Sequence, residues 1–258
     1  MKSWVESFLI ALSMYSTLPV KCLNWTEENL RHALVFFPLV GLLCGGGLWL
    51  VWTVCGLLHV GSVLFAVLAV LGVVVITGGI HLDGFCDTAD ALYSRRSQEE
   101  KLRILKDPHC GPFAVFSVFL VLLIGFGAYT ELYRTQNVQI LGLLTGGFVM
   151  TRCLSGISLT RFPCAPTSSL AKTFGEHAGK HVGIVLLIEC MITGFFMVLW
   201  YHWLAVILIE LSVVIFLCYY HMQKKQFGGL TGDLAGFFLV LNETAWVLGT
   251  ALLGGVLK

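Results

Sequence analysis

Charge is what this 258-residue sequence has least of: Asp, Glu, Lys and Arg make up 12% of it, sixteen basic residues against fifteen acidic, for a net charge of +1. That balance excludes a nucleic-acid partner, because neutralising phosphates takes a concentrated basic face. A soluble domain is excluded as well. With 57% hydrophobic residues and a mean hydropathy of +0.85, the chain carries more apolar surface than a core of this size can enclose. There is no C-x-x-C pair among the nine cysteines, which are odd in number and scattered, Cys44, Cys55, Cys190 and Cys218 among them. Neither a zinc site nor a disulfide framework is expected from that spacing, and the cysteines read as small apolar packing residues. No small-residue cleavage site follows the N-terminal stretch Trp4–Leu18, which Glu6 interrupts, so the stretch is expected to stay in the mature protein.

What the sequence has in abundance is long apolar runs. A transmembrane helix needs about 20 mostly apolar residues, and such runs occur at 34–58, 61–80, 112–130, 137–158, 182–200, 203–220 and 234–256. The expected fold is therefore all-α: a polytopic transmembrane bundle of about seven spans, forming one integral membrane domain over residues 1–258. Gly45-Gly46-Gly47 and Gly254-Gly255 lie in the first and last spans, where small residues allow close helix approach in lipid. Trp4, Phe8, Leu12 and Tyr15 fall near helical spacing before Pro19, which fits an interfacial helix in the headgroups or, equally, an ordinary packed half-helix.

Orientation follows from Lys and Arg, which are retained on the cytoplasmic side. Lys2, Lys21 and Arg31; Arg95, Arg96, Lys101, Arg103 and Lys106; Arg152, Arg161, Lys172 and Lys180; and Lys224 and Lys225 fall on one side, against Arg134 and Lys258 on the other. The N-terminus is expected inside, and the long polar loops at 81–111 and 159–181 with it.

The polar residues that remain are concentrated. Asp83, Asp87 and Asp90 follow directly on the second apolar run, and at about 100° per residue they share one stripe of a helix. Like charges so placed repel, and a carboxylate at the bilayer centre costs about 2.5–3.5 kcal/mol, so a compensating divalent cation is expected. Carboxylates without soft ligands favour Mg²⁺ or Mn²⁺, ions that also hold substrate phosphates. Arg95, Arg96, Lys101, Arg103 and Lys106 follow at once as candidate phosphate clamps, while His81 at the membrane boundary reads more simply as a hydrogen-bonded interface residue. A second group, Gly228-Gly229-Leu230-Thr231-Gly232-Asp233, precedes the last apolar run. Its glycines let backbone approach a ligand or a helix, and Asp233 stands at a helix N-terminus, where a plain N-cap is the simplest reading. Glu243 lies inside the last span, where an acid is a functional candidate. Glu189 and Glu210 are also intramembrane, with no local feature to distinguish them.

Gly78, Gly79, His81, Asp83, Gly84, Asp87 and Asp90 match the pattern G-G-x-H-x-D-G-x-x-D-x-x-D, and the chain resembles the cobalamin synthase family (adenosylcobinamide-GDP ribazoletransferase). Lys106, Asp107, Gly111 and Phe113 are similar to the family's K-D-x-x-x-G-x-F segment, and Gly228 to Asp233 with Gly236 to its G-G-x-T-G-D-x-x-G block. Ala91, Pro108, Ala114, Pro166 and Val240 depart from the usual pattern. The resemblance implies transfer of the cobinamide-phosphate part of adenosylcobinamide-GDP to α-ribazole or α-ribazole 5′-phosphate, with release of GMP, late in vitamin B12 synthesis. It implies Mg²⁺ held by Asp83, Asp87 and Asp90, chemistry shared among these and Asp233, and substrate contacts from His81, Arg95, Arg96, Arg103, Lys106, Asp107, Gly229 and Thr231. The implied location is the inner (cytoplasmic) membrane of a prokaryote, in contact with membrane lipid and with the site facing the cytoplasm; whether the chain forms a homo-oligomer stays open. Two other classes are weighed beside it. A CDP-alcohol phosphotransferase acting on lipid should open with D-x-x-D-G, but Ile80 stands three residues before Asp83. A cation-coupled transporter should spread its acids over several depths.

Overall fold

The computed structural model describes residues 2–21, 24–166, 168 and 181–254. The helices are α1 (Lys2–Tyr15), α2 (Glu27–Ala33), α3 (Phe37–Leu57, led in by a 3-10 turn at Leu34–Phe36), α4 (Ser62–Thr77), α5 (Ile80–Tyr93), α6 (Gln98–Ile104), α7 (Pro112–Arg134), α8 (Gln139–Arg161), α9 (Val182–Phe227) and α10 (Gly232–Leu253). Among the described residues the only extended pairing is a single parallel bridge between Cys164 and Leu230.

Helices of 21–23 residues, such as α3, α7, α8 and α10, rise about 1.5 Å per residue and so cross a hydrocarbon layer of about 30 Å. At 46 residues α9 is about twice that length. It breaks at His202, whose φ of 50° and ψ of −129° are not helical. The chain turns back there: a Cβ on Gly194 would stand 3.6 Å from Ile209 Cδ1, whereas a straight helix would hold those residues about 22 Å apart. Among the described residues, five helices are long and apolar enough to cross a membrane by themselves, and six spans result if α4 and α5 count as one bent span. Taking the two arms of α9 separately gives about seven crossings, as expected.

Lipid-facing and buried sides separate clearly. Leu50 on α3, Val115 on α7 and Phe195 and Trp200 on α9 lie more than 60% exposed, an arrangement only lipid tolerates. The centre of the bundle is α8, buried along almost its whole length. One side of it packs with α9 and α10 around Leu143, Met150, Leu186, Leu208, Phe238 and Trp246. The other packs with α3, α4 and α7 around Cys44, Phe65, Leu132 and Phe148. Glycine brings α3 and α8 together, since a Cβ on Gly41 would fall 2.7 Å from the Phe148 carbonyl oxygen.

One expectation changes. The second apolar run does not continue straight into the acidic segment: Gly78 and Gly79, at φ 65° and 76°, take left-handed conformations that glycine alone adopts without strain, and α5 leaves α4 at 95°. The corner is tied to the N-terminal segment, whose Thr17 N–H donates to the Ile76 carbonyl (2.9 Å) and whose hydroxyl donates to Val75 O (2.8 Å), partnering carbonyls that a helix end leaves free. Arg152, within the expected 137–158 span, lies inside α8 and is fully buried. Of the two readings of the N-terminal stretch, packing describes the inner face of α1, where Ile10, Ala11 and Tyr15 are buried against Ala33 and Phe37. Lys172, Lys180, Gly255 and Lys258 lie outside the described residues, as do the side chains of Lys2 and Arg31.

Candidate functional site

The acidic residues gather where α5 crosses the start of α10. Two glycines make the crossing close. A Cβ on Gly84 would stand 2.9 Å from both the Cα and the carbonyl oxygen of Asp233, and one on Gly236 would stand 3.1 Å from the His81 carbonyl oxygen. Phe85 and Phe237 stack across the same crossing at 5.2 Å between ring centroids. Asp233, distant in sequence, thereby comes beside the first acidic group. Asp83 is exposed, while Asp87, Asp90 and Asp233 are half-buried.

None of these four carboxylates forms an ion pair with any of the described residues. Burial, followed by the charges of Asp83, Asp233 and Asp90, pushes the Asp87 carboxyl up from 3.8 to about 6. Mutual repulsion without a protein cation is the electrostatic setting a hard divalent ion relieves, and oxygen-only donors are what Mg²⁺ prefers. The donor chemistry fits that ion. As the side chains stand, no three Asp, Glu, His or Cys groups among the described residues are close enough to enclose one, so coordination requires rotamer closure or oxygen atoms from a substrate.

The cap of α10 is Thr231 rather than Asp233: its hydroxyl accepts from the Leu234 N–H at 3.2 Å. Capping therefore does not require the Asp233 carboxylate. Asp90 lies against Gly111, the residue that precedes α7, so closely that a Cβ there would overlap its carboxylate.

The two loops meet above this crossing. Gly228, at φ 70°, lies under the side-chain amide of Gln98, and the buried Lys101 bonds the Gln226 side chain. Arg95 and Arg96, both exposed, precede Gln98 by three and two residues on that loop. Ser97 starts α6 with a capping box, its hydroxyl accepting from the Glu100 N–H while the Glu100 carboxylate returns to the Ser97 N–H. Arg103 is exposed and pairs with Glu99 at 3.1 Å; Lys106 is exposed, and Asp107 holds the His109 ring at 2.7 Å. Gly229 serves the fold directly: a Cβ would lie 2.5 Å from the Ala165 nitrogen, beside the bridge in which Leu230 N–H donates to Pro163 O and Ala165 N–H to Leu230 O.

His81 points the other way from the acids. It is buried against Tyr15 and Phe37, with ring centroids at 6.0 and 5.7 Å, and its Nε2 has no partner. Together with Thr77, Tyr129, Glu243 and Thr244 it lines an otherwise apolar cavity of about 100 Å³ between α4, α7 and α10. Sequence reasoning missed the partnership below it: Arg152 of α8 donates to Glu243 of α10 in a buried ion pair. Both residues were visible as intramembrane or near-membrane charges, but their pairing depends on which helices become neighbours.

Fold and site together define a polytopic helical membrane protein with an unpaired carboxylate cluster at one end of its bundle and a basic loop beside it. The match to known families is then specific. The cobalamin-5-phosphate synthase (CobS) family model matches residues 7–251, and the chain belongs to that family. Among similar proteins are adenosylcobinamide-GDP ribazoletransferases of Lachnoclostridium phytofermentans, 38% identical over 98% of this chain and 96% of that protein, and of Clostridium perfringens, 36% identical over 96% and 98%. One from Pseudomonas fluorescens is 37% identical over 95% and 98%. No solved structure matches.

Proposed function

We propose that this chain transfers the cobinamide-phosphate part of adenosylcobinamide-GDP to α-ribazole or its 5′-phosphate, giving adenosylcobalamin or its 5′-phosphate and GMP. The observation that carries the reading beyond family membership is the crossing of α5 and α10, which sets Asp233 beside Asp83 and Asp87. That arrangement suits a phosphoryl transfer between two solutes.

In the reaction a ribose hydroxyl of the acceptor attacks the phosphorus that carries the cobinamide. A new P–O bond forms, the P–O bond to the GMP phosphate breaks, and the hydroxyl proton leaves to a carboxylate. Asp83, Asp87 and Asp90 are the residues that would hold Mg²⁺, which when bound supplies positive charge against the diphosphate and the departing GMP. Asp233, on the opposite helix and free of the capping role, takes the proton as general base. Arg95, Arg96 and Lys106, exposed and without ion-pair partners among the described residues, bind the substrate's phosphates; Arg103 joins them by exchanging Glu99.

The site faces the cytoplasm in this reading, in keeping with the basic loops beside it, and the membrane is the inner membrane of a prokaryote. A transporter would need Glu243 as a free acid along a path, yet it is paired with Arg152. The test is turnover: purified protein in lipid, given both substrates and Mg²⁺, should release GMP and form the complete corrinoid, and chelation of Mg²⁺ should stop it.

A further inference from the structure

The acids of the site sit on two helices, α5 and α10, and nothing at the crossing itself bonds one to the other through side-chain polar groups among the described residues; contact there is backbone against glycine and ring against ring. What fixes their register lies deeper. Arg152 is fully buried in α8, and its Nη1 donates both to Glu243 of α10 and to the Phe148 carbonyl at 3.0 Å, while Nη2 reaches Cys44 Sγ of α3 at 3.3 Å. Its guanidinium also lies 5.9 Å from the centre of the Phe37 ring, and that ring packs on His81, in the first turn of α5. One side chain therefore ties α3, α8 and α10 by polar contacts and reaches α5 through Phe37.

We infer that the Arg152–Glu243 pair is a positioning device for the reaction, holding α10 and α5 in the register that sets Asp233 against Asp83 and Asp87. Asp233 and Glu243 share one rigid helix and lie about 15 Å apart along it, so a slip at Glu243 moves Asp233 by the same amount. Two charges in a dry interior repay their desolvation only when geometry and hydrogen bonds are good; a well-packed apolar pair would serve stability equally. Retaining the charges is thus explained by the discrete register they impose. This rests on the proposed reaction only for what the register serves, and the register itself can be read without turnover.

The double substitution R152M/E243M removes both charges together and avoids the stranded charge that either single change would leave. A cross-link between cysteines at Phe85→Cys and Phe237→Cys, on a background without the native cysteines, reports the α5–α10 crossing. The expected result is wild-type thermal stability with a reduced cross-link yield, and, in the enzyme with its native Phe85 and Phe237, kcat down by about a hundredfold, the loss that displacing a reacting group by about 1 Å produces, with KM for both substrates unchanged. E243D, which keeps the pair and folds if the double variant does not, should lower kcat without changing KM. An unchanged cross-link, a wild-type kcat, or a loss confined to KM overturns the inference. A wild-type protein that cross-links normally yet releases no GMP would instead count against the proposed reaction alone.

Discussion

Replacing Gly84 with alanine places a methyl group 2.9 Å from both the Cα and the carbonyl oxygen of Asp233. Carbon atoms rest at about 3.5–4.0 Å, so α5 and α10 must part by about 0.6–1 Å. The neighbour is backbone within a helix, which does not yield as a flexible side chain does. Overpacking of this kind costs about 1–3 kcal/mol of stability, and displacing a catalytic group by about 1 Å costs about a hundredfold in rate. Gly46→Ala is the control, since nothing lies within 4 Å of its added Cβ and alanine is the better helix former. Thermal unfolding in detergent and GMP release in proteoliposomes measure the two effects. Gly84→Ala is expected to fold with a lowered Tm and to lose most of its turnover, while Gly46→Ala keeps both. Turnover in Gly84→Ala equal to that of Gly46→Ala would refute the claim that this crossing sets the site.

Asp83→Asn and Asp87→Asn should each lower turnover by several orders of magnitude with folding intact, because a neutral amide cannot hold Mg²⁺ against the substrate's own phosphates; Asp233→Asn should do so as well, Thr231 still capping the helix, as read by turnover and Tm. The Asp87 carboxyl, raised to about 6 without an ion, is neutral below that pH and charged above it, so protons compete with Mg²⁺ on the acid side. The Mg²⁺ concentration for half-maximal rate should rise as pH falls through 6 and level off above it; a flat dependence across that range would remove Asp87 from the site. On a background without native cysteines, a cysteine at Ser97 should resist an impermeant reagent in intact cells and one at Gln136 should react, and the reverse pattern would invert the orientation.

The sequence made the spans legible because apolar runs of membrane length admit few alternatives, and the turn at His202 separates two runs that were already distinct around Tyr201 and Trp203. The carboxylate stripe was equally legible, since Asp83, Asp87 and Asp90 depend only on helical periodicity within α5. What periodicity could not reveal was relative placement. The 95° corner arises from two adjacent glycines in left-handed conformations tied down by Thr17, and nothing in an apolar run announces its angle to the next helix. Asp233 reads as the N-cap of the last span, and only the observed Thr231–Leu234 bond gives that role to Thr231. Arg152 falls inside the apolar run 137–158 and counts with the basic residues of one side; only the partner on α10 explains how it lies buried inside α8.

The central claim, that the acids on α5 and α10 form one phosphoryl-transfer site, is tested most directly by turnover with defined substrates. Wild-type protein and Asp233→Asn, each reconstituted in lipid with adenosylcobinamide-GDP, α-ribazole 5′-phosphate and Mg²⁺, should be followed by corrin absorbance and GMP release. The account predicts equal amounts of adenosylcobalamin 5′-phosphate and GMP from the wild type, with almost none of either from a folded Asp233→Asn. Equal turnover by the two proteins would contradict it, as would a folded wild-type protein that leaves adenosylcobinamide-GDP intact.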